Sequence, residues 1–148
     1  MGLKIVVAVD LSDAADKVIR VTEYIAKATQ AKVRVLHVAE AEPDFVGYEA
    51  GPEVVRDQVA KEFRAEHRGI QAHAETLRKA GVDATARLIQ GPIVETVLSE
   101  AKRFDADLLV VGSHGFGALY DLLVGSASRG ILRDSSIPVL VVPIRDSE

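Results

Sequence analysis

The residues best placed for chemistry are glycines and hydroxyls rather than nucleophiles or metal ligands. Gly112-Ser113-His114-Gly115-Phe116-Gly117 directly follows an apolar run, and Gly125-Ser126-Ala127-Ser128 opens what reads as a helix. Glycine lets a backbone approach an anion with no Cβ in the way. The first turn of a helix offers unpaired N–H groups and about half a positive charge, and serine hydroxyls add donors there. This spacing suits phosphate. A plainer reading remains beside it, in which the glycines serve a tight turn and a helix cap. Two familiar phosphate loops are absent: Gly125-Ser126 lacks the lysine of G-x-x-x-x-G-K-[ST], and no G-x-G-x-x-G follows the first strand.

Other candidates are weaker. Asp10 ends the first apolar run, where a carboxylate suits a ligand contact. His114 either donates to a ligand or fills the turn, and His37 belongs to a strand near a crevice or the core. His67 and His73 lie six apart on one helix and do not share a face as a metal pair at i, i+4 would, so both read as solvated. Ser126 has no His/Asp pair at a recognisable spacing and is not a nucleophile. The charged face Arg56, Asp57, Lys61, Glu62, Arg64 and Glu66 reads as a solvated helix surface. With no cysteine, disulfides and thiolate metal sites are excluded.

The elements that must position these residues alternate between strand and helix. Leu3 to Val9 is β-branched and nearly continuous in apolar residues, as in a strand buried on both faces of a parallel sheet. Ser12 is expected to cap a following helix carrying Ala15, Val18, Thr22, Ile25, Ala26 and Thr29, with Asp13 and Asp16 in its first turn. Lys32 to Ala39 reads as a second strand and Glu40 to Pro52 as a loop. A long amphipathic helix follows from Glu53, with Val55, Val59, Phe63, Ile70 and Leu77 on its apolar side and Gly81 at its end. Gly69 inside it costs about 1 kcal/mol. Asp83 to Gln90 alternates as a third strand, and Gly91-Pro92 starts a helix closed by Lys102 and Arg103. Asp107 to Val111 and Pro138 to Pro143 are a fourth and fifth strand, with a helix from Ser126 to Asp134 between them. This pattern predicts a single α/β domain over residues 1–148, an open parallel five-stranded sheet with helices on both faces. Ligands of such sheets bind beyond the carboxyl ends of the strands, where Asp10 and Gly112 to Gly117 face each other if strands one and four are neighbours.

Composition agrees. The chain has 148 residues, 48% hydrophobic and 27% charged, enough for one buried core. A net charge of -4 argues against nucleic acid as a partner. The apolar N-terminal run is far short of the ~18 residues of a membrane span and no signal-peptide pattern appears, so a cytoplasmic protein that engages no membrane is expected.

Taken together, Gly112-x2-Gly115-x9-Gly125-Ser126, the opening Ile5-Val6-Val7-Ala8-Val9-Asp10-Leu11-Ser12, Val35-Leu36-His37-Val38, Gly91-Pro92, Asp107 to Gly115 and Pro138 to Val142 resemble the universal stress protein family, in its ATP-binding subclass. The resemblance runs over essentially the whole chain. It implies a Rossmann-like fold of the adenine nucleotide alpha hydrolase type, with sheet order 3-2-1-4-5 and ATP in the crevice. Adenine would lie near Ala8, Val9, Asp10 and Val38, and ribose near Asp10, Val111, Gly112 and His114. The phosphates would lie near Gly115, Gly125, Ser126, Ala127 and Ser128. Many members carry glycine where this chain has Leu11, which leaves the adenine edge the less defined end. Mg²⁺ or Mn²⁺ would be held through the phosphates, since no protein metal cluster is visible.

The function expected is a nucleotide-dependent stress-response sensor or adaptor. Alternatives are a slow ATPase or nucleotidyl-transfer enzyme using the same pocket, for which no catalytic base is identifiable, and a dimeric interaction module that binds no nucleotide. In the implied order the strand Pro138 to Pro143 is an apolar, uncharged edge, which predicts a homodimer through it.

Overall fold

The computed structural model describes residues 2–12, 14–39, 52–113 and 126–144, with the side chains of 52–59 excepted. The elements in chain order are β1 (Lys4–Ala8), α1 (Ala15–Thr29), β2 (Lys32–Ala39), α2 (Pro52–Lys79), β3 (Asp83–Gln90), α3 (Ile93–Phe104), β4 (Leu108–Gly112), α4 (Ser126–Asp134) and β5 (Val139–Val142). The five strands form one parallel sheet in the order β3-β2-β1-β4-β5.

Successive residues of a strand face opposite sides of a sheet, and here both sides are apolar. Ile5, Val7, Val33, Val35, Val110 and Val142 pack with α1 and α2, including Val18, Ile19, Ile70, Ala74 and Leu77. Val6, Ala8, Leu36, Val38, Leu109 and Val111 pack with α3 and α4 through Val97, Ala101 and Ile131. The continuous apolar runs in the sequence follow from this two-sided burial.

Helix ends depart from the expectations in instructive ways. Gly81, at φ 92, ends α2 as expected, with Val82 N–H donating to the Leu77 carbonyl at 3.0 Å. Pro52 is the first residue of α2 rather than the last of a loop, a position where its missing N–H costs nothing. Gln30 and Asp105 take left-handed conformations, φ 56 and 59, to end α1 and α3 without a glycine. Ser12 does not cap α1: its hydroxyl and its N–H both donate to Asp10 Oδ1, at 2.7 and 3.0 Å, and α1 begins after Ala14 with no side-chain cap. An acceptor two residues upstream has outcompeted the helix end.

Phe63 is also corrected, being 39% exposed rather than seated on the core. A helix of 28 residues is ~42 Å long whereas an eight-residue strand spans only ~26 Å. The N-terminal part of α2 therefore overhangs the sheet beyond the carboxyl end of β2. On the opposite side, Glu100 of α3 is 2% exposed and sits between two arginines, Arg87 Nε at 3.1 Å and Arg34 Nη1 at 3.6 Å. Arg34 stacks over the Phe104 ring at 4.5 Å. Among the described residues no helix is long and apolar enough to cross a membrane.

Candidate functional site

The register of the sheet leaves a notch at its carboxyl edge. β1 pairs with β2 as far as Ala8↔Leu36 and with β4 only as far as Val7↔Val110. Its neighbours run on: β2 pairs with β3 up to Ala39↔Gln90, and β4 with β5 up to Gly112↔Val142. Ala8 and Val9 form the floor of this notch, with Val38 on one wall and Val111 and Gly112 on the other. The Val9 N–H donates to the Leu36 carbonyl at 2.9 Å. Peptide groups of a parallel strand alternate sides, so those of Val38 also turn toward β1, beyond its last paired residue. Ala8, Val9, Val38, Val111 and Gly112 are all buried. The result is an apolar slot edged by backbone polar groups.

Asp10 stands at the exit of β1, half-buried, with Oδ1 held by Ser12. Leu11 follows in a left-handed conformation, φ 66, which normally costs a branched side chain about 1 kcal/mol. Its side chain packs on the core, and a Cβ on Gly69 of α2 would stand 3.3 Å from Leu11 Cδ2. Gly69 thus gives Leu11 its seat, which accounts for a glycine inside a long helix.

At the other side of the notch, α4 points its N-terminus toward the end of β4. Ser126 is exposed, Ala127 half-buried and Ser128 buried. The Ser128 hydroxyl donates to the Gly112 carbonyl at 2.7 Å. Its one hydrogen is therefore committed to holding α4 on β4, and Ser126 keeps the outward hydroxyl of the pair. An open groove of about 710 Å³ runs along α4 from this turn, lined by Val94 of α3 and by Ser126, Arg129, Gly130, Leu132 and Arg133 of α4. Arg129, one turn beyond Ser126, supplies a cation there that the sequence reading did not single out. His114, Gly115 and Gly125 lie outside the described residues.

The histidines divide differently from the expectation. His67 is exposed. His73 is only 17% exposed in its side chain, with Nδ1 at 4.0 Å from Asp16 of α1. His37 is 8% exposed; its Nδ1 lies 2.8 Å from the Val9 carbonyl and its Nε2 3.2 Å from Glu66 Oε2. Glu66 is thus no part of a purely solvated face: its Oε2 is shielded from solvent and has no aligned hydrogen-bond donor among the described residues. Linear spacing does not bring residues 37 and 66 together; the crossing of α2 over the carboxyl end of β2 does.

Among the described residues no group of three or more His, Asp or Glu is placed to hold a metal. The resolved pKa shifts lie at the far end of α4. There a hydrogen bond from Arg133 holds the Asp134 carboxyl below the usual carboxylate range, and Asp134 in turn raises Arg133. Both groups are exposed, and Arg133 lines the far end of the groove that begins at Ser126.

A doubly covered parallel sheet of this order, notched at its central strand, defines the class of α/β proteins that bind ligands at a topological switch point. The universal stress protein family's sequence profile matches residues 1–143, and the chain belongs to that family. Universal stress protein YxiE of Bacillus subtilis is 31% identical over 144 residues, which span 94% of this chain and 97% of the relative. A universal stress protein of Thermus aquaticus is 34% identical over 139 residues, 93% of this chain and 96% of its own. Among solved structures, universal stress protein UspA from Lactobacillus plantarum superposes with TM-score 0.81 at 22% identity, covering 95% of this chain and 97% of that one. A universal stress protein in complex with cAMP superposes with TM-score 0.67 at 24% identity, covering 96% and 97%. One from Archaeoglobus fulgidus in complex with dAMP gives 0.66 at 24%, covering 95% and 97%. At these identities the likeness to the solved structures is one of fold.

Proposed function

We propose that this protein binds an adenine nucleotide, ATP with Mg²⁺ or Mn²⁺, in the notch at the carboxyl edge of its sheet, and acts in the cytoplasm as a nucleotide-dependent sensor or adaptor. The observation that carries this reading is the early end of β1 between two longer neighbours. It leaves a slot apolar at its floor and bordered by the peptide groups of Val38, with Asp10 at its rim. The N-terminus of α4, braced by Ser128 on Gly112, supplies N–H groups where phosphates would sit. Ala8, Val9, Asp10 and Val38 would contact the base, and Asp10, Val111, Gly112 and His114 the ribose. Gly115, Gly125, Ser126, Ala127 and Ser128 would hold the phosphates, Ser128 through its backbone. The cation would be held through phosphate oxygens. The complexes of similar structures with cAMP and dAMP support the choice of adenine. Pairing of β5 with the same strand of a second copy would complete the functional unit.

The test is to denature the purified protein and identify any released nucleotide by mass spectrometry, with calorimetric titration of the stripped protein by ATP, ADP and AMP with and without Mg²⁺. Binding of at least one at submillimolar concentration is expected. If none binds at millimolar concentration with metal present, the reading fails.

A further inference from the structure

Val9 and Asp10 form the floor and rim of the proposed nucleotide notch, yet the β1/β2 ladder stops one residue earlier, at Ala8↔Leu36. The Val9 carbonyl is instead met by a side chain. His37 comes from the neighbouring strand, faces the α2 side of the sheet, and places Nδ1 2.8 Å from that oxygen. A carbonyl only accepts, so Nδ1 must carry a proton. Nε2 then faces α2, where Glu66 Oε2 lies at 3.2 Å. With Nε2 protonated as well the ring is a cation that the carboxylate holds in this orientation by charge, whereas a ring protonated on Nδ1 alone would turn a lone pair toward it. Three residues further along α2, Gly69 receives the Leu11 side chain. The turn from Val9 to Ser12 is thus fixed from behind at two points on one face of α2.

Resting on the nucleotide reading of the notch, we infer that His37 is a positioning residue for the base: it orients the Val9–Asp10 peptide, is itself oriented by Glu66, and so contributes to selecting adenine. The physical step is short. A peptide unit is planar, so anchoring the Val9 carbonyl also fixes the direction of the Asp10 N–H and the exit of the Asp10 side chain. Without the anchor, the last peptide before the pocket rim can rotate, and the groups that read the edge of a base lose their common geometry. Phosphate binding at α4, across the notch, does not depend on this peptide. His37 touches no ligand in this account and acts through Val9.

Isosteric replacements separate this role from bulk packing. In His37→Asn the side-chain amide stands where Nδ1 stood and can still donate to Val9. In His37→Gln the amide reaches the place of Nε2, toward Glu66, and the Val9 bond is lost. His37→Phe removes both. Binding of ATP and GTP is measured by competition for each variant and the unmodified protein. His37→Asn is expected to stay within about threefold of the unmodified affinity for ATP. His37→Gln and His37→Phe are expected to lose about tenfold, the scale of one hydrogen bond, with a reduced preference for ATP over GTP. A loss through general destabilisation would weaken both nucleotides equally and leave that preference unchanged, which would overturn the inference. Equal ATP affinities of the Asn and Gln variants would overturn it as well. Imidazole ¹⁵N shifts give an independent reading in the nucleotide-free protein, where Nδ1 of His37 is expected to be protonated; an unprotonated Nδ1 refutes the anchor whatever the variants do. Failure of the unmodified protein to bind either nucleotide would instead sink the pocket reading itself.

Discussion

Ser126 and Ser128 stand two apart in the first turn of α4 and face opposite tasks. The first is exposed beside the groove that Arg129 also lines, and the second is buried with its hydroxyl on Gly112. Replacing each with alanine should split the two roles. Ser126→Ala is expected to lower ATP affinity by about 1–2 kcal/mol, as for a hydrogen bond to a charged group, with an unchanged melting temperature. Ser128→Ala is expected to cost about 1–3 kcal/mol of stability because the buried Gly112 carbonyl loses its donor. Calorimetric titration and thermal unfolding on the same pair decide it; equal effects on both quantities would show that the two hydroxyls share one role. At this scale the sequence is readable by type but not by partner. Its hydroxyls and glycines announce phosphate chemistry, yet nothing in the spacing says that Ser12 turns back to Asp10 instead of capping α1, or that His37 meets Glu66. Those pairings depend on how far β1 runs and where α2 crosses β2.

Elements were legible wherever burial is two-sided or strictly alternating. The expected bounds of the second and third strands and of the helix from Ser126 to Asp134 coincide with β2, β3 and α4, and the remaining strands differ by one residue at each end. Such shifts mark the points at which pairing, rather than composition, decides. The tie between α3 and the outer strands adds charge to its apolar packing. Glu100 is enclosed between Arg34 of β2 and Arg87 of β3. Removing one member of a fully buried pair typically costs 3–5 kcal/mol, but both guanidinium groups retain some access to water and can be rehydrated. Glu100→Ala is therefore expected to destabilise by about 2 kcal/mol in urea unfolding. A change below about 0.5 kcal/mol, the usual range for surface sites, would mean that the arginines lose nothing with the carboxylate.

For the whole molecule, the order β3-β2-β1-β4-β5 leaves two strands at the edges. β5 presents Val139, Leu140 and Val141 half-buried, while Val142 is 2% exposed and belongs to the core of its own chain. Assembly through β5 is accordingly tested by Val141→Lys, which should turn a dimer into a folded monomer in sedimentation equilibrium with an unchanged circular dichroism spectrum. Val142→Lys probes folding rather than assembly, since a charge there is buried with or without a second copy. A monomer for the unmodified protein at micromolar concentration would refute the dimer. The same strand order has a consequence for biosynthesis. β1, the central strand, is translated first, yet one of its edges is closed only when β4 arrives about a hundred residues later. At typical elongation rates Ile5 to Val7 would wait roughly 5–20 s on the ribosome with unpaired peptide groups along that side. A nascent chain of this topology has its central strand half-finished for most of its synthesis, which makes it a natural client for whatever shields emerging β-edges from one another.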